Sequence, residues 1–75
     1  MSEPMSERLV TTMKLQRARL DLTQAELAER AGVTRKSINA IETGHMVPST
    51  LLALKLARVL GVTVEDLFAI EALPA

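Results

Sequence analysis

The 75-residue chain contains no cysteine, tryptophan or tyrosine, and its one aromatic residue is Phe68. Without cysteine it has neither a disulfide framework nor a thiolate metal site. Strand-rich domains draw on aromatic and β-branched residues, whereas this chain is rich in Leu, Ala, Glu and Arg, which favour helix. No apolar run is longer than the four residues of Leu51–Leu54, which is too short for a membrane span. The start Met-Ser-Glu-Pro lacks the basic and apolar parts of a secretory signal.

The chain also lacks an excess of either charge, because 9 Lys and Arg balance 9 Asp and Glu. A protein that binds nucleic acid without specificity is strongly basic, so the total charge gives no support for that function. The apolar content of 48% is that of a globular chain. The length suffices for one small domain, whose marginal core would gain from self-association. We therefore expect a single α-helical domain in the cytoplasm, associated with the nucleoid if it binds DNA.

Capping signals divide the chain into helices. Thr23 and Glu26 have the spacing of a capping box, which predicts a helix that runs to about Ala31 and ends at Gly32. Three more helices are predicted in the same way: Arg35–Thr43 after Thr34, residues 50–60 between Ser49 and Gly61, and residues 64–68 after Thr63.

The two ends of the domain are less clearly defined. Met13–Leu20 is predicted to be the first helix, with Thr12 as its cap. Residues 8–11 either extend this helix backwards or form a strand, and residues 68–73 would supply the partner strand. Both interpretations stay open, with helix slightly preferred. Residues 1–5 are predicted to be a flexible tail.

The second and third predicted helices are separated only by Gly32 and Val33, and a tight turn of this kind produces a helix-turn-helix. Ala28 is small at the position where the two helices come closest. The apolar residues of the unit are predicted to face inward; they are Leu27, Ala28, Ala31, Val33, Ile38 and Ile41.

The third helix has a polar face opposite its isoleucines. This face carries Arg35, Lys36, Asn39 and Ala40, at spacings that lie side by side on a helix. Arg and Lys donate to guanine, Asn pairs with adenine, and a methyl group contacts the thymine methyl. The two cations stand in the first turn, where the helix dipole disfavours them, while the first turns of the helices capped by Thr23 and Thr63 carry acids. This reversal indicates that the two cations face negatively charged or hydrogen-bond-accepting groups, such as DNA phosphates and the acceptor atoms of bases.

The run from Leu22 to Gly44, LTQAELAERAGVTRKSINAIETG, resembles the Cro/phage-repressor (XRE) helix-turn-helix family. Pro48-Ser49 and the later ARVLGV over residues 57–62 continue the likeness, in particular to compact stand-alone bacterial or phage regulators. The resemblance spans about residues 13–68. It implies an all-α, five-helix lambda-repressor-like DNA-binding domain over residues 6–68, with an optional short β-ribbon formed by the two ends.

The resemblance also implies a helix-turn-helix motif over residues 23–43 and roles for individual positions in and beside it. Base contacts fall to Arg35, Lys36, Asn39 and Ala40, and an internal ion pair joins Arg17 to Glu42. Contacts to the DNA backbone fall to Thr23, Gln24, Thr34, Ser37, Thr43 and His45, with Gln24 able to reach a base. The chain departs from the family at four positions: Gln16 and Asp21, where an apolar residue and Gly are more common, and His45 and Met46, which replace a Lys and an aromatic residue.

These observations predict a transcriptional regulator that binds double-stranded DNA. The predicted form is a homodimeric repressor on a pseudo-palindromic operator, with helix 35–43 in the major groove. The C-terminal extension, residues 69–75, and the apolar Phe68, Ile70 and Leu73 are predicted to form the dimer contact. The alternative is an antitoxin or another module of the same fold whose apolar C-terminal surface binds a different protein.

An enzyme is not expected, because catalysis usually requires a nucleophile with a base, paired carboxylates in a cleft, or a metal. His45 is the only histidine, and there is no glycine-rich phosphate loop. Neither a cofactor nor a metal ion is predicted.

Overall fold

The computed structural model describes residues 6–73. The predicted flexible tail, residues 1–5, and the last two residues of the predicted C-terminal extension lie outside this range. Five helices follow a first strand and precede a second one. Their order is β1 (Glu7–Thr11), α1 (Met13–Arg19), α2 (Gln24–Ala31), α3 (Arg35–Glu42), α4 (Thr50–Leu60), α5 (Val64–Leu67) and β2 (Phe68–Ala72).

The predicted caps define the starts of α2, α3, α4 and α5. The capping box is confirmed: Glu26 N–H donates to the Thr23 hydroxyl oxygen over 3.0 Å, and Thr23 N–H donates to Glu26 Oε1 over 2.9 Å. The hydroxyl oxygens of three further caps each accept from the third residue of their helix, at 3.0–3.1 Å. These caps are Thr34, Ser49 and Thr63.

Helix α1 begins differently from the prediction. Thr12 occupies the cap position, but its side chain caps nothing; its hydroxyl donates to the Asp66 carbonyl oxygen over 2.8 Å. The Thr11 hydroxyl oxygen instead accepts from Met13 N–H over 3.1 Å, and the same hydroxyl donates to Leu67 O over 2.8 Å. Both threonines therefore connect the start of α1 to α5.

The ends of the chain form a two-stranded antiparallel ribbon. β1 pairs with β2 in a register that runs from Glu7 opposite Ala72 to Thr11 opposite Phe68. The helical interpretation of residues 8–11 and 68–73 is therefore wrong, and the optional β-ribbon is present. The partner of each strand lies about 60 residues away in the chain, so local helix propensity could not reveal the pairing.

The helices enclose one apolar core. Ile38 and Ile41 point inward as predicted, and Ala28 of α2 is buried. Val33 is partly buried and packs against the core. The largest fully buried side chains are Met13, Leu27, Ile38, Leu56, Leu60 and Leu67. In residues 6–73, no helix has the length and apolar content that a bilayer crossing requires.

Candidate nucleic-acid interface

Helix α3 divides into a buried and an exposed face. Ile38 and Ile41 are 0% and 3% exposed, so they hold the helix against the core. Arg35, Lys36 and Asn39 are exposed on the other side, and Ala40 is half-buried. This is the division that the spacing predicts.

The start of α2 meets this exposed face. Gln24 lines an open hollow of about 320 Å³ together with Arg35, Lys36 and Asn39. We call it the polar hollow. The four side chains supply several hydrogen-bond donors and two positive charges, and no acid is among them. The structure therefore brings three of the four predicted base-contacting residues together with one predicted backbone contact.

Gln24 is held in place by two hydrogen bonds. Its Nε2 group donates to Asn39 Oδ1 over 3.1 Å and to Glu42 Oε1 over 3.0 Å. Neither bond was predicted, because no sequence pattern indicates which polar side chains of two crossing helices meet. Since both protons of the amide nitrogen are used, Gln24 joins the start of α2 to two successive turns of α3.

Arg17 and Glu42 form the ion pair that the resemblance implies. Arg17 Nε lies 2.6 Å from Glu42 Oε2, and Arg17 Nη2 donates to Glu42 Oε1 over 3.1 Å. A third Arg17 bond, from Nη1 to the Leu22 carbonyl oxygen, spans 2.9 Å. The two side chains are only 13% and 7% exposed, so this bidentate pair is nearly enclosed.

The ion pair keeps the Glu42 carboxyl ionised. Burial alone raises the pKa of the Glu42 carboxyl, but the hydrogen bonds from Arg17 and Gln24, together with the Arg17 charge, lower the pKa by more. The hydrogen bond to Glu42 raises the pKa of Arg17. Glu42 is therefore an anion at neutral pH, and Arg17, Glu42, Gln24 and Asn39 form one connected network.

The other predicted backbone contacts lie at helix ends and in the loop after α3. Thr23 and Thr34 are exposed caps, and the Thr34 hydroxyl also donates to the half-buried Ser37 oxygen over 3.1 Å. In the loop, the Thr43 hydroxyl donates to Asn39 O over 2.8 Å, and Thr43 Oγ1 lies 2.8 Å from His45 Nδ1. Because the Ala40 carbonyl oxygen accepts from the His45 N–H over 2.8 Å, this loop is tied to the end of α3.

The predicted dimer-contact residues occupy different environments. Phe68 is only 9% exposed because it packs into the core of its own chain. Leu73 is half-buried, and its N–H donates to Ser6 O over 2.8 Å. Ile70 is 70% exposed. Of the three residues, Ile70 is therefore the most exposed.

A second hollow, of about 360 Å³, lies between the ribbon and α4, and we call it the apolar hollow. No charged side chain lines it. Val47 and Leu54 at its rim are 73% and 54% exposed. The other lining residues are Leu9, Pro48, Thr50, Ala53, Val64 and Phe68.

The comparisons with known proteins agree with this geometry. A family described as "Helix-turn-helix" matches residues 13–67. An uncharacterized HTH-type transcriptional regulator of Methanothermobacter thermautotrophicus is 48% identical over 62 residues, which cover 81% of this chain and 90% of the relative. The uncharacterized HTH-type transcriptional regulator YgzD of Bacillus subtilis is 47% identical over 73% of this chain and 83% of its own length.

Two solved structures have the same fold. The restriction-modification controller protein C.AhdI of Aeromonas hydrophila is 28% identical with a TM-score of 0.69, over 72% of this chain and 82% of that protein. SinR, the master regulator for biofilm formation, was solved in complex with DNA; it is 33% identical with a TM-score of 0.67, over 71% and 86% of the two chains. The five-helix lambda-repressor-like fold is thus confirmed.

The family match covers most of the chain, and the relatives are regulators from archaea as well as bacteria. Because the family consists of regulators and not of enzymes, the match also confirms that the chain is not an enzyme. The chain belongs to the XRE-type helix-turn-helix family of transcriptional regulators.

Proposed function

We propose that the chain is a sequence-specific DNA-binding repressor that acts as a homodimer on a pseudo-palindromic operator. The polar hollow carries this proposal, because it gathers donors and positive charge on the exposed face of α3. A protruding helix of this kind fits the major groove of B-DNA, where each base pair presents a distinct pattern of donors and acceptors.

Each exposed residue of α3 has a specific chemical task. Arg35 and Lys36 donate to guanine O6 and N7, while Asn39 pairs with adenine N6 and N7. The half-buried Ala40 offers a methyl group to thymine. Gln24 orients Asn39 through their 3.1 Å hydrogen bond, and because both protons of its side-chain amide are used, its own contact to the DNA backbone is made by its main-chain N–H. The four residues of α3 provide the discrimination between sequences.

The remaining contacts fix the position of the domain on the duplex. Thr23 and Thr34 lie where the first amides of α2 and α3 are partly positive, which favours a nearby phosphate. Ser37 lies one turn further along, and Thr43 and His45 approach the backbone from the loop after α3. The SinR structure in complex with DNA supports this mode of binding, since its fold matches over most of both chains.

A single recognition helix covers only about five base pairs, so we infer that two chains combine. Recognition helices in such dimers lie about 34 Å apart, which is one turn of the duplex. Ile70, Leu73 and the apolar hollow provide the surfaces for the contact between chains. A dimer that occupies a promoter blocks polymerase, and this is the mechanism of repression that we propose.

A protein-partner module is the second candidate, and the apolar hollow favours it. Its exposed rim residues Val47 and Leu54 fit a different protein as well as a second copy. The oligomeric state of the purified chain separates the two candidates. A clean dimer supports the stand-alone regulator, whereas a polydisperse preparation supports a missing partner.

The decisive test of DNA recognition is selection from a random duplex pool with the purified chain at about 150 mM salt, since specificity depends on ionic strength. Enrichment of an inverted repeat supports dimeric recognition and yields the operator. Retention of DNA without a common motif would indicate binding through phosphates alone. Failure to retain any duplex would leave the protein-partner module as the better account.

A further inference from the structure

We propose that Arg8, on the β-ribbon, is an additional contact to the DNA backbone, and that Glu71 holds its guanidinium until a phosphate replaces the carboxylate. This inference rests on the proposed function. It assigns the ribbon a role in DNA binding, whereas the helix-turn-helix itself ends at the loop after α3.

Arg8 lines the same groove as the loop after α3. Strand β1 and the loop after α3 form opposite walls of a groove of about 560 Å³. Arg8 lines one wall, and Thr43 and Gly44 line the other. Because Thr43 belongs to the proposed backbone contacts, a phosphate strand that passes along the loop runs beside this groove. Arg8 is the cation among the residues that line it.

Two acids also line the groove, Glu42 and Glu7, and neither is the ion-pair partner of Arg8. Glu42 is neutralised by Arg17 at 2.6 Å. Glu7 precedes Arg8 on β1, and successive side chains of a strand point to opposite faces. Arg8 therefore shares its face with Glu71, its partner in the register, while Glu7 lies on the face of Leu9.

Hydrogen bonds attach the ribbon to the helical body. Thr12 N–H donates to Leu67 O over 3.0 Å, and the Thr11 and Thr12 hydroxyls donate to the Leu67 and Asp66 carbonyl oxygens, each over 2.8 Å. These bonds fix the start of α1 against α5, and β1 and β2 extend from that junction. Arg8 is thus held at a defined place relative to the loop after α3.

The ion pair of Arg8 can be exchanged at low cost. Arg8 Nη2 and Nε lie 2.6 and 2.8 Å from the same oxygen, Oε1 of Glu71. The two side chains are 61% and 47% exposed, and ion pairs in water contribute little to stability. A DNA phosphate carries the same single negative charge but offers the guanidinium two oxygens, so that two of its N–H groups can each bond to a separate oxygen. Glu71 orients Arg8 in the free protein and competes with DNA for it.

The experiment compares the wild-type chain with Arg8→Gln, Glu71→Gln and the control Arg58→Gln. Arg58 is an exposed residue of α4 that lines neither the polar hollow nor the groove. The probe is the duplex that the wild-type chain enriches most from a random pool, and its affinity is measured over a series of salt concentrations. Thermal unfolding of each variant verifies that the ribbon pair is not needed for folding.

Arg8→Gln is expected to reduce the slope of log affinity against log salt by about 0.9 per protomer, the value for one lost phosphate contact. The loss of affinity is the same for matched and mismatched duplexes, because phosphates carry no sequence information. Glu71→Gln is expected to bind several-fold more tightly than the wild type, and Arg58→Gln to bind like it. If the ion pair were purely structural, Arg8→Gln and Glu71→Gln would instead change binding in the same direction.

Two results overturn the inference alone: Arg8→Gln with the wild-type salt slope, or Glu71→Gln with weakened binding. In both, the wild-type chain still binds its duplex, so the proposed function stands. A wild-type chain that binds no duplex overturns the proposed function together with this inference.

Discussion

Gln24 Nε2 donates to Asn39 Oδ1 over 3.1 Å and so joins the first residue of α2 to the exposed face of α3. The second proton of the same nitrogen is bound to Glu42 Oε1, at 3.0 Å. Within residues 6–73 nothing accepts from the Asn39 amide nitrogen, which can therefore donate outward. Asn39 is therefore oriented before DNA arrives, which reduces the side-chain entropy that binding costs.

Replacing Gln24 tests this orientation. We expect Gln24→Ala to weaken binding to the selected duplex by about 1 kcal/mol, the size of one hydrogen bond. We also expect it to broaden the base preference at the position that Asn39 contacts. Fluorescence anisotropy with duplexes that differ by single base pairs measures both effects. Gln16→Ala is the matched control, since Gln16 is a glutamine on α1 whose side chain bonds to Thr12 and Arg19. An unchanged base preference in Gln24→Ala would show that Asn39 needs no such support.

Arg35 is the strongest candidate for a guanine contact. We expect Arg35→Ala to weaken binding to the selected duplex by about 1–3 kcal/mol and to relax the preference at one base pair in each half-site. A second selection from the random pool, carried out with the variant, measures the preference directly. Arg58→Ala removes the same charge from α4 and should leave the selected sequence unaltered. If Arg35→Ala selects the wild-type sequence, Arg35 does not contact a base.

The helices were predictable from the sequence because their signals are local. Thr23 with Glu26, and Gly32 with φ of 73°, define both ends of α2 within ten residues of chain. The ribbon could be named only as one of two interpretations, because it depends on a pairing between Arg8 and Glu71 and their neighbours across the whole chain. Short apolar segments of five residues satisfy the pattern of either a strand or a helix end.

The ion pair of Arg17 and Glu42 should be costly to break on one side only. Arg17→Met leaves a carboxylate that is 7% exposed without its cation, and we expect a loss of about 3 kcal/mol in the free energy of unfolding. The double variant Arg17→Met/Glu42→Leu removes both charges and should recover most of that loss. Urea denaturation measures the two values. A single variant as stable as the wild type would show that solvent reaches Glu42 freely.

Acid should weaken the fold through the same carboxylate. Because the folded chain lowers the pKa of Glu42 below its ordinary value of 4.5, this group stabilises the fold above that pH. The contribution is lost as the pH falls through the lower pKa of the folded state. Urea denaturation at a series of pH values below neutral should show this loss in the wild type and a smaller loss in Glu42→Gln. The hydrogen bonds from Thr23 lower the pKa of Glu26 as well, so a residual dependence remains in the variant.

Asp21 occupies a backbone conformation that favours glycine. Its φ of 57° is the one positive value among the described non-glycine residues, and it lies in the turn between α1 and α2. We expect Asp21→Gly to raise the free energy of unfolding by about 0.5–1 kcal/mol, because glycine adopts this conformation without steric cost. Gly32→Ala is the reverse experiment, and it should lower stability by about 1 kcal/mol, since Gly32 has φ of 73°. Thermal unfolding of both variants gives the comparison.

The candidate site was predicted in part. The residues on the exposed face of α3 follow from helical spacing, and the inward positions of Ile38 and Ile41 follow with them. The two hydrogen bonds of Gln24 do not, because they depend on the crossing angle of α2 and α3, which no local pattern encodes. The burial of Phe68 was missed for a similar reason. The sequence does not reveal whether an apolar residue near a chain end packs against its own chain or against another one.

The central claim is that the exposed face of α3 meets DNA, and an NMR titration tests it most directly. Isotope-labelled chain is titrated with the duplex that the random pool yields, and the backbone amide shifts are followed residue by residue. The account predicts that the largest changes cluster at Thr23 and Gln24, along Thr34–Ala40, and at Thr43–His45. Changes that cluster instead around the apolar hollow, with α3 undisturbed, would contradict it.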